Sequence, residues 1–186
     1  MKAALCILSL AALAACDSSP KIEAKNASVA EVAAKVRDAG GTDAFLSPGK
    51  WLTKATLEEF SAPGMPAGIA DDMKLKMEAK AGTESCLTEA DAKKPKGDFF
   101  TGKNENCRYD HYTMGGGKID AKMHCTAGGG TQQMTMTGDY GPNEYNMRMT
   151  TAMDLGRAAA ASGMGSMTMK LRVEGKRIGD CDKKRS

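Results

Sequence analysis

The feature that most limits the fold of this chain is a symmetry about three glycines. Cys107 and Cys125 stand at equal distances from the middle of the run Gly115-Gly116-Gly117. After that run, Ile119, Ala121, Met123 and Cys125 alternate with Lys118, Asp120, Lys122 and His124, the period of a strand with one buried face. If the three glycines form the whole hairpin loop, Met114 faces Lys118. The same register then sets Cys107 opposite Cys125, Tyr109 opposite Met123 and Asp110 opposite Lys122. Directly opposed α-carbons lie about 4.5–5.5 Å apart, within reach of a disulfide. Two independent patterns thus agree on one hairpin and one bond, Cys107–Cys125.

A disulfide needs an oxidising compartment, and the N-terminus supplies one. Lys2 precedes an apolar run from Ala3 to Ala15, broken only by Ser9. The run is too short for a permanent membrane helix and suits a secretion signal. Its end, Leu13-Ala14-Ala15-Cys16, resembles the bacterial lipobox, in which the cysteine becomes the lipidated N-terminus. The expectation is cleavage of residues 1–15 and lipidation of Cys16, which anchors the protein to a bacterial membrane facing the periplasm. Each buried methylene of such chains contributes about 0.8 kcal/mol. Asp17 follows, and by resemblance to lipoproteins of enteric bacteria it implies retention at the inner membrane.

Of the 6 cysteines, Cys6 leaves with the leader and Cys16 carries lipid. Cys86, Cys107, Cys125 and Cys181 remain, an even set suited to two disulfides. With Cys107–Cys125 assigned, Cys86–Cys181 follows by exclusion. No C-x-x-C is present, which removes thioredoxin-type redox chemistry and zinc knuckles.

The mature chain divides into an anchor, polar tether and short helix over 16–47, one disulfide-braced domain over 48–182, and a basic tail over 183–186. Asp17 to Ala27 is polar and reads as tether. Ser28-Val29-Ala30-Glu31 has capping-box spacing. Val29, Val32, Ala33 and Val36 then recur at helical spacing until Gly40-Gly41, and the mixed charge of the polar face favours docking on the domain over lying on a membrane. Trp51 to Glu58 alternates as a strand, and Pro63-Gly64-Met65-Pro66 makes a rigid turn. Two patterns compete over 67–81, where Met73, Leu75, Met77 and Ala79 alternate with charges. Pro66, early aspartates, later lysines and Gly82 are helix-end signals, and they decide for a helix. Thr88 caps a further short helix that Pro95 stops.

A second hairpin runs from Gln132 to Met153 around Gly141-Pro142-Asn143-Glu144, pairing Tyr140 with Tyr145 and Met136 with Met149. An irregular link over Ala158 to Gly165 leads to a last strand with Met167, Met169, Leu171 and Val173 on one face. The expected fold is α+β and mostly β, an antiparallel meander-like sheet that can curl toward a barrel, with a few short helices in the N-terminal half.

The chemistry this sequence offers is sparse. Met134, Met136, Met147, Met149, Met167 and Met169 share one sheet face, as apolar filling or as soft ligands for Cu(I). Core is the expected role, because they alternate with threonine inside strands. His111 and His124 fall on opposite faces in the register above, so they cannot share a metal. The glycine runs lack the helix and Lys-Ser/Thr of a phosphate loop. No catalytic residue, metal site or cofactor is expected. The formal net charge of +3 has much of its excess in Lys183-Lys184-Arg185, which gives no case for nucleic-acid binding.

Gly49-Lys50-Trp51, Pro63-Gly64-Met65-Pro66, Cys86-Leu87-Thr88, Phe99-Phe100, Cys107-Arg108-Tyr109 and Met114-Gly115-Gly116-Gly117-Lys118-Ile119 come in the order seen in an exported family. The chain resembles this family, domain of unknown function 3617, from roughly Pro48 to Cys181. The resemblance implies envelope residence and paired cysteines, and it brings no activity or catalytic residue. The expected function is a lipid-anchored, non-enzymatic binding or interaction module. The alternatives are a carrier or sensor of a small apolar ligand or lipid, and a methionine-based copper handler. Expected partners are the membrane through Cys16 and an envelope protein or small apolar ligand.

Overall fold

A computed structural model describes residues 20–66, 68–69, 71–72, 75–76, 82–93, 106–127, 129–161, 163 and 165–182. The leader expected over 1–15, the expected lipidation site Cys16, Pro95, Phe99-Phe100 and the basic tail lie outside the described residues.

Eight strands form one antiparallel sheet: β1 (Ile22–Ser28), β2 (Gly49–Ser61), β3 (Thr83–Leu87), β4 (Cys107–Gly115), β5 (Lys118–Ala127), β6 (Gly130–Gly141), β7 (Glu144–Asp154) and β8 (Ser166–Gly179). Their order is β1-β4-β5-β6-β7-β8-β2-β3. The expected meander therefore runs from β4 to β8. The N-terminal strands flank it, β1 on one side and the β2–β3 pair on the other. β1 and β3 end the order without pairing to each other, so the sheet stays open. Both predicted disulfides are present. Cys107 and Cys125 have α-carbons 4.0 Å apart, and Cys86 and Cys181 have theirs 5.5 Å apart.

The N-terminal boundary differs from expectation. The stretch expected to be tether becomes strand β1 at Ile22, paired antiparallel with β4 from Ile22↔Met114 to Ser28↔Arg108. Ile22, Ala24 and Ala27 are buried among exposed lysine, glutamate and asparagine. Sparse apolar residues sufficed because β4 offers a whole row of backbone partners. Asn26, at φ 47°, breaks the alternation so that Ala24 and Ala27 both face inward. β3 was also not expected, since its side chains are mostly exposed and leave no apolar period to read.

Helix α1 (Val29–Asp38) starts as the sequence dictates. Ser28 Oγ accepts from the Glu31 amide at 3.2 Å, and Glu31 Oε2 accepts from the Ser28 amide at 2.6 Å. Val32 and Val36 are buried in the core, so the helix docks on the sheet. A single 3₁₀ turn (Thr42–Ala44) follows. Helix α2 (Glu89–Lys93) is capped by Thr88, whose Oγ1 accepts from the Asp91 amide at 3.1 Å. Helix α3 (Gly156–Ala161) occupies part of the stretch expected to be irregular. Within 67–81 the described residues Ile69, Asp71, Asp72, Leu75 and Lys76 are helical. No described helix is long and apolar enough to cross a membrane.

The β4–β5 hairpin reaches the predicted disulfide by a different route. Its turn has two residues, Gly116 and Gly117, at φ 57° and 72°, so Gly115 pairs with Lys118 and Met114 faces Ile119. Two positive φ values match the right-handed strand twist, and glycine adopts them without steric penalty. That register alone would miss the Cys107–Cys125 pairing by one residue. A β-bulge at Asp110 supplies the extra residue, and Tyr109↔Met123 and Cys107↔Cys125 stand as predicted. Lys122 accordingly faces His111 rather than Asp110. The second hairpin needs no such correction, with Tyr140↔Tyr145 and Met136↔Met149 both paired.

Candidate functional site

The sheet has two unlike faces. Outward from the core, side chains form hydrogen bonds and ion pairs. His124 Nδ1 lies 2.6 Å from Asp110 Oδ1, Lys122 reaches the same carboxylate, and His111 Nε2 lies 2.6 Å from Asp120 Oδ1. Farther along, Arg172 and Arg148 share Glu58. This overturns the expectation that the two histidines lie on opposite faces. The bulge at Asp110 breaks the alternation, turning both Tyr109 and Tyr112 inward and leaving His111 on the same side as His124. Each imidazole is nevertheless engaged by its own carboxylate. Among the described residues no group of three or more His, Cys, Asp or Glu side chains could hold a metal.

The inward face is apolar and lines a partly open cavity of about 230 Å³. Its floor comes from β4 to β8. Met134, Met136, Met147 and Met149 line it, as the alternation implied, joined by Met114 and Met123. Met167 and Met169 lie on the same face, paired with Met153 and Thr151, but do not border the cavity. Unbranched thioether side chains fill irregular space and repack easily, so a floor built of them accepts varied apolar shapes.

The roof comes from the segment between α1 and β2. Val36 reaches in from α1, and Thr42, Phe45 and Leu46 follow from the 3₁₀ turn and its exit. Phe45 meets Tyr140 edge to face, with ring centroids 5.6 Å apart. The Ser47 amide donates to the Pro142 carbonyl at 2.9 Å, and Trp51 Nε1 donates to the Ser47 carbonyl at 3.1 Å. These bonds clasp the roof to the β6–β7 turn and to β2. Phe45 and Leu46 carry no period and escaped sequence reasoning; their only signal was two apolar residues enclosed between Gly40-Gly41 and Ser47-Pro48.

Among the described residues the chemistry of the walls is neutral. The lining offers aliphatic and aromatic carbon, thioethers, one threonine hydroxyl and phenols. Burial pushes the Tyr109 hydroxyl up to about 12 and that of neighbouring Tyr112 higher still, so both stay protonated. Tyr112 donates to Met114 Sδ at 3.2 Å, which places that thioether. Cys86, Cys107, Cys125 and Cys181 are closed in disulfides, and neither histidine reaches the cavity lining. The arrangement is that of a disulfide-braced β domain that lines a partly open apolar cavity.

The family model described as protein of unknown function (DUF3617) matches residues 46–181, and the chain belongs to that family. No curated protein and no solved structure matches it. The matched region begins at the roof, so β1, α1 and Phe45 stand upstream of it while contributing to the same core.

Proposed function

We propose that this protein is a non-enzymatic binding domain of the bacterial envelope, anchored by lipid on Cys16, that takes a small apolar molecule or part of a lipid into its methionine-lined cavity. The observation that carries the reading is the cavity itself. Among the described residues its walls present thioethers, aliphatic carbon and phenols, with no carboxylate, imidazole or free thiol. Ligand sites are characteristically concave and apolar, and about 300 Å³ is the usual lower bound for drug-sized molecules. A site near that bound suits a compact ligand or a segment of a longer one. The leader and the paired cysteines support export.

Native mass spectrometry of protein purified from bacterial envelopes, beside a denatured spectrum, tests this. The expected result is an excess native mass matching a small apolar compound or lipid, lost when Ala121, a wall residue, is replaced in Ala121→Leu. A native mass equal to that of an acylated, twice-oxidised chain would overturn the ligand reading and turn the search to protein partners. Met136 and Met149 stand opposite each other on the floor, and that pair frames the copper alternative. An excess mass of one copper ion, abolished by Met136→Leu, would establish it. Cys16→Ser is expected to release the protein from membranes; continued acylated attachment would sink the lipobox reading.

A further inference from the structure

The strand ends fall into two groups. The register sets Ile22 beside Met114, Gly141 beside Glu144, Glu144 beside Lys176, and Lys50 beside both Gly179 and Cys86. One end of the sheet therefore holds the Gly116-Gly117 and Pro142-Asn143 turns, the Cys86–Cys181 bond and the entry of the chain. The other end holds the start of α1, the Ala127–Gly130 connection and α3.

The chain enters close against the first end. A β-carbon on Gly115 would stand 3.0 Å from Lys21 Cγ, so Lys21 packs beside the β4–β5 turn. Only Asp17 to Lys21 separate Cys16 from Ile22, a stretch that spans about 20 Å when fully extended. β6, at 12 residues, runs about 40 Å. The attachment point thus reaches the turn end and falls well short of α3.

Resting on the lipidation proposed above, we infer that the turn end of the sheet is the membrane-facing surface and that the domain stands on the bilayer end-on. Lying on its outer face would press the Asp110–Lys122 and Glu58–Arg172 pairs against lipid and strip them of water, which is costly for charged groups. End-on, the bilayer meets the Gly116-Gly117 and Pro142-Asn143 turns, and the Lys118–Asp139 pair, Glu144 and Lys176 at their bases stay in the polar headgroup layer. The cavity wall of Met114, Tyr140 and Tyr145, with its Phe45 roof, then occupies the membrane-side half of the domain. An apolar ligand drawn from the bilayer would meet that wall first.

The full acylated chain, its acyl mass verified, is reconstituted in phosphatidylethanolamine/phosphatidylglycerol vesicles carrying a nickel-chelating lipid. A nitroxide is placed at the β6–β7 turn through Asn143→Cys or on α3 through Arg157→Cys, both exposed positions. The expected outcome is several-fold stronger nickel broadening of the label at 143 than of that at 157. Equal broadening would mean a flat-lying sheet, and stronger broadening at 157 an inverted one; either overturns the orientation. A chain without acyl mass would overturn the anchor itself, and the orientation with it.

Discussion

Tyr145 lies flat across Gly175, its partner on the neighbouring strand. A β-carbon built on Gly175 would stand 2.1 Å from the ring's Cε1, so the tyrosine occupies the space of the missing side chain. From there the ring stacks on Trp51 with centroids 5.6 Å apart, and its hydroxyl lies 3.0 Å from Thr53 Oγ1. One aromatic residue thus ties β7, β8 and β2 together while forming part of the cavity wall.

Gly175→Ala is therefore expected to lift the Tyr145 ring and to destabilise the domain by about 1–3 kcal/mol, the usual cost of overpacking. Trp51 is the single tryptophan, so its emission should shift in the folded variant. Urea unfolding followed by that fluorescence reads both effects; unchanged stability and emission would show that the ring does not rest on Gly175.

Deleting Asp110 tests the bulge. In the observed register the residues on either side of Asp110 already pair with Lys122 and Met123. The deletion should therefore keep Cys107 opposite Cys125 and leave no free thiol on titration in denaturant. It removes the carboxylate shared by His124 and Lys122, an exposed network whose loss is expected to cost at most about 1 kcal/mol. Two free thiols would mean that the glycine turn holds three residues.

Alkaline stability should report the buried phenols. Tyr109 and Tyr112 are held protonated by burial, with Tyr109 raised from 10.0 to about 12. Because the folded values exceed the unfolded ones, this stabilisation is complete below pH 10 and is lost as the pH rises through the folded values. Between pH 10 and 11 each phenol should withdraw about 1 kcal/mol. Denaturant midpoints across that range should fall less steeply in Tyr109→Phe than in the parent; parallel slopes would contradict the burial.

The α1 cap is expected to yield about 1 kcal/mol on Ser28→Ala, measured by urea unfolding. The Ser28 amide and side chain hold the Glu31 carboxyl below its usual range. A lowered folded value stabilises above the ordinary carboxylate range and is lost as the pH falls through it. The acid limb of the stability curve should accordingly flatten in Glu31→Gln, and an unchanged limb would remove Glu31 from the cap.

Much of this architecture was legible where a local rule leaves one answer. Alternation along β5, β6 and β8 marked the inward residues, the Ser28-x-x-Glu31 spacing marked the helix start, and symmetry about the glycines marked the Cys107–Cys125 bond. The cavity floor was legible for the same reason, since Met134, Met136, Met147 and Met149 follow a strict period of two. The roof was not, because Phe45 and Leu46 act through contacts with residues about a hundred positions away, and no local period encodes such contacts. The edge strands β1 and β3 were illegible for a related reason: what holds them is pairing with β4 and β2, not an apolar pattern of their own.

What the sequence by itself determined is the inward residues of β5 to β8, the disulfide partners and the helix caps, all of which follow from backbone period and side-chain reach. Tertiary structure alone decided that Gly115 belongs to a strand, that Asp110 is the extra residue, and that both histidines share the outer face. A turn's length and a bulge's position can exchange one residue without altering the end-to-end match of a hairpin. Only the packing of Tyr109 and Tyr112 against the core, and the twist that favours the Gly116-Gly117 turn, choose between those otherwise equivalent solutions.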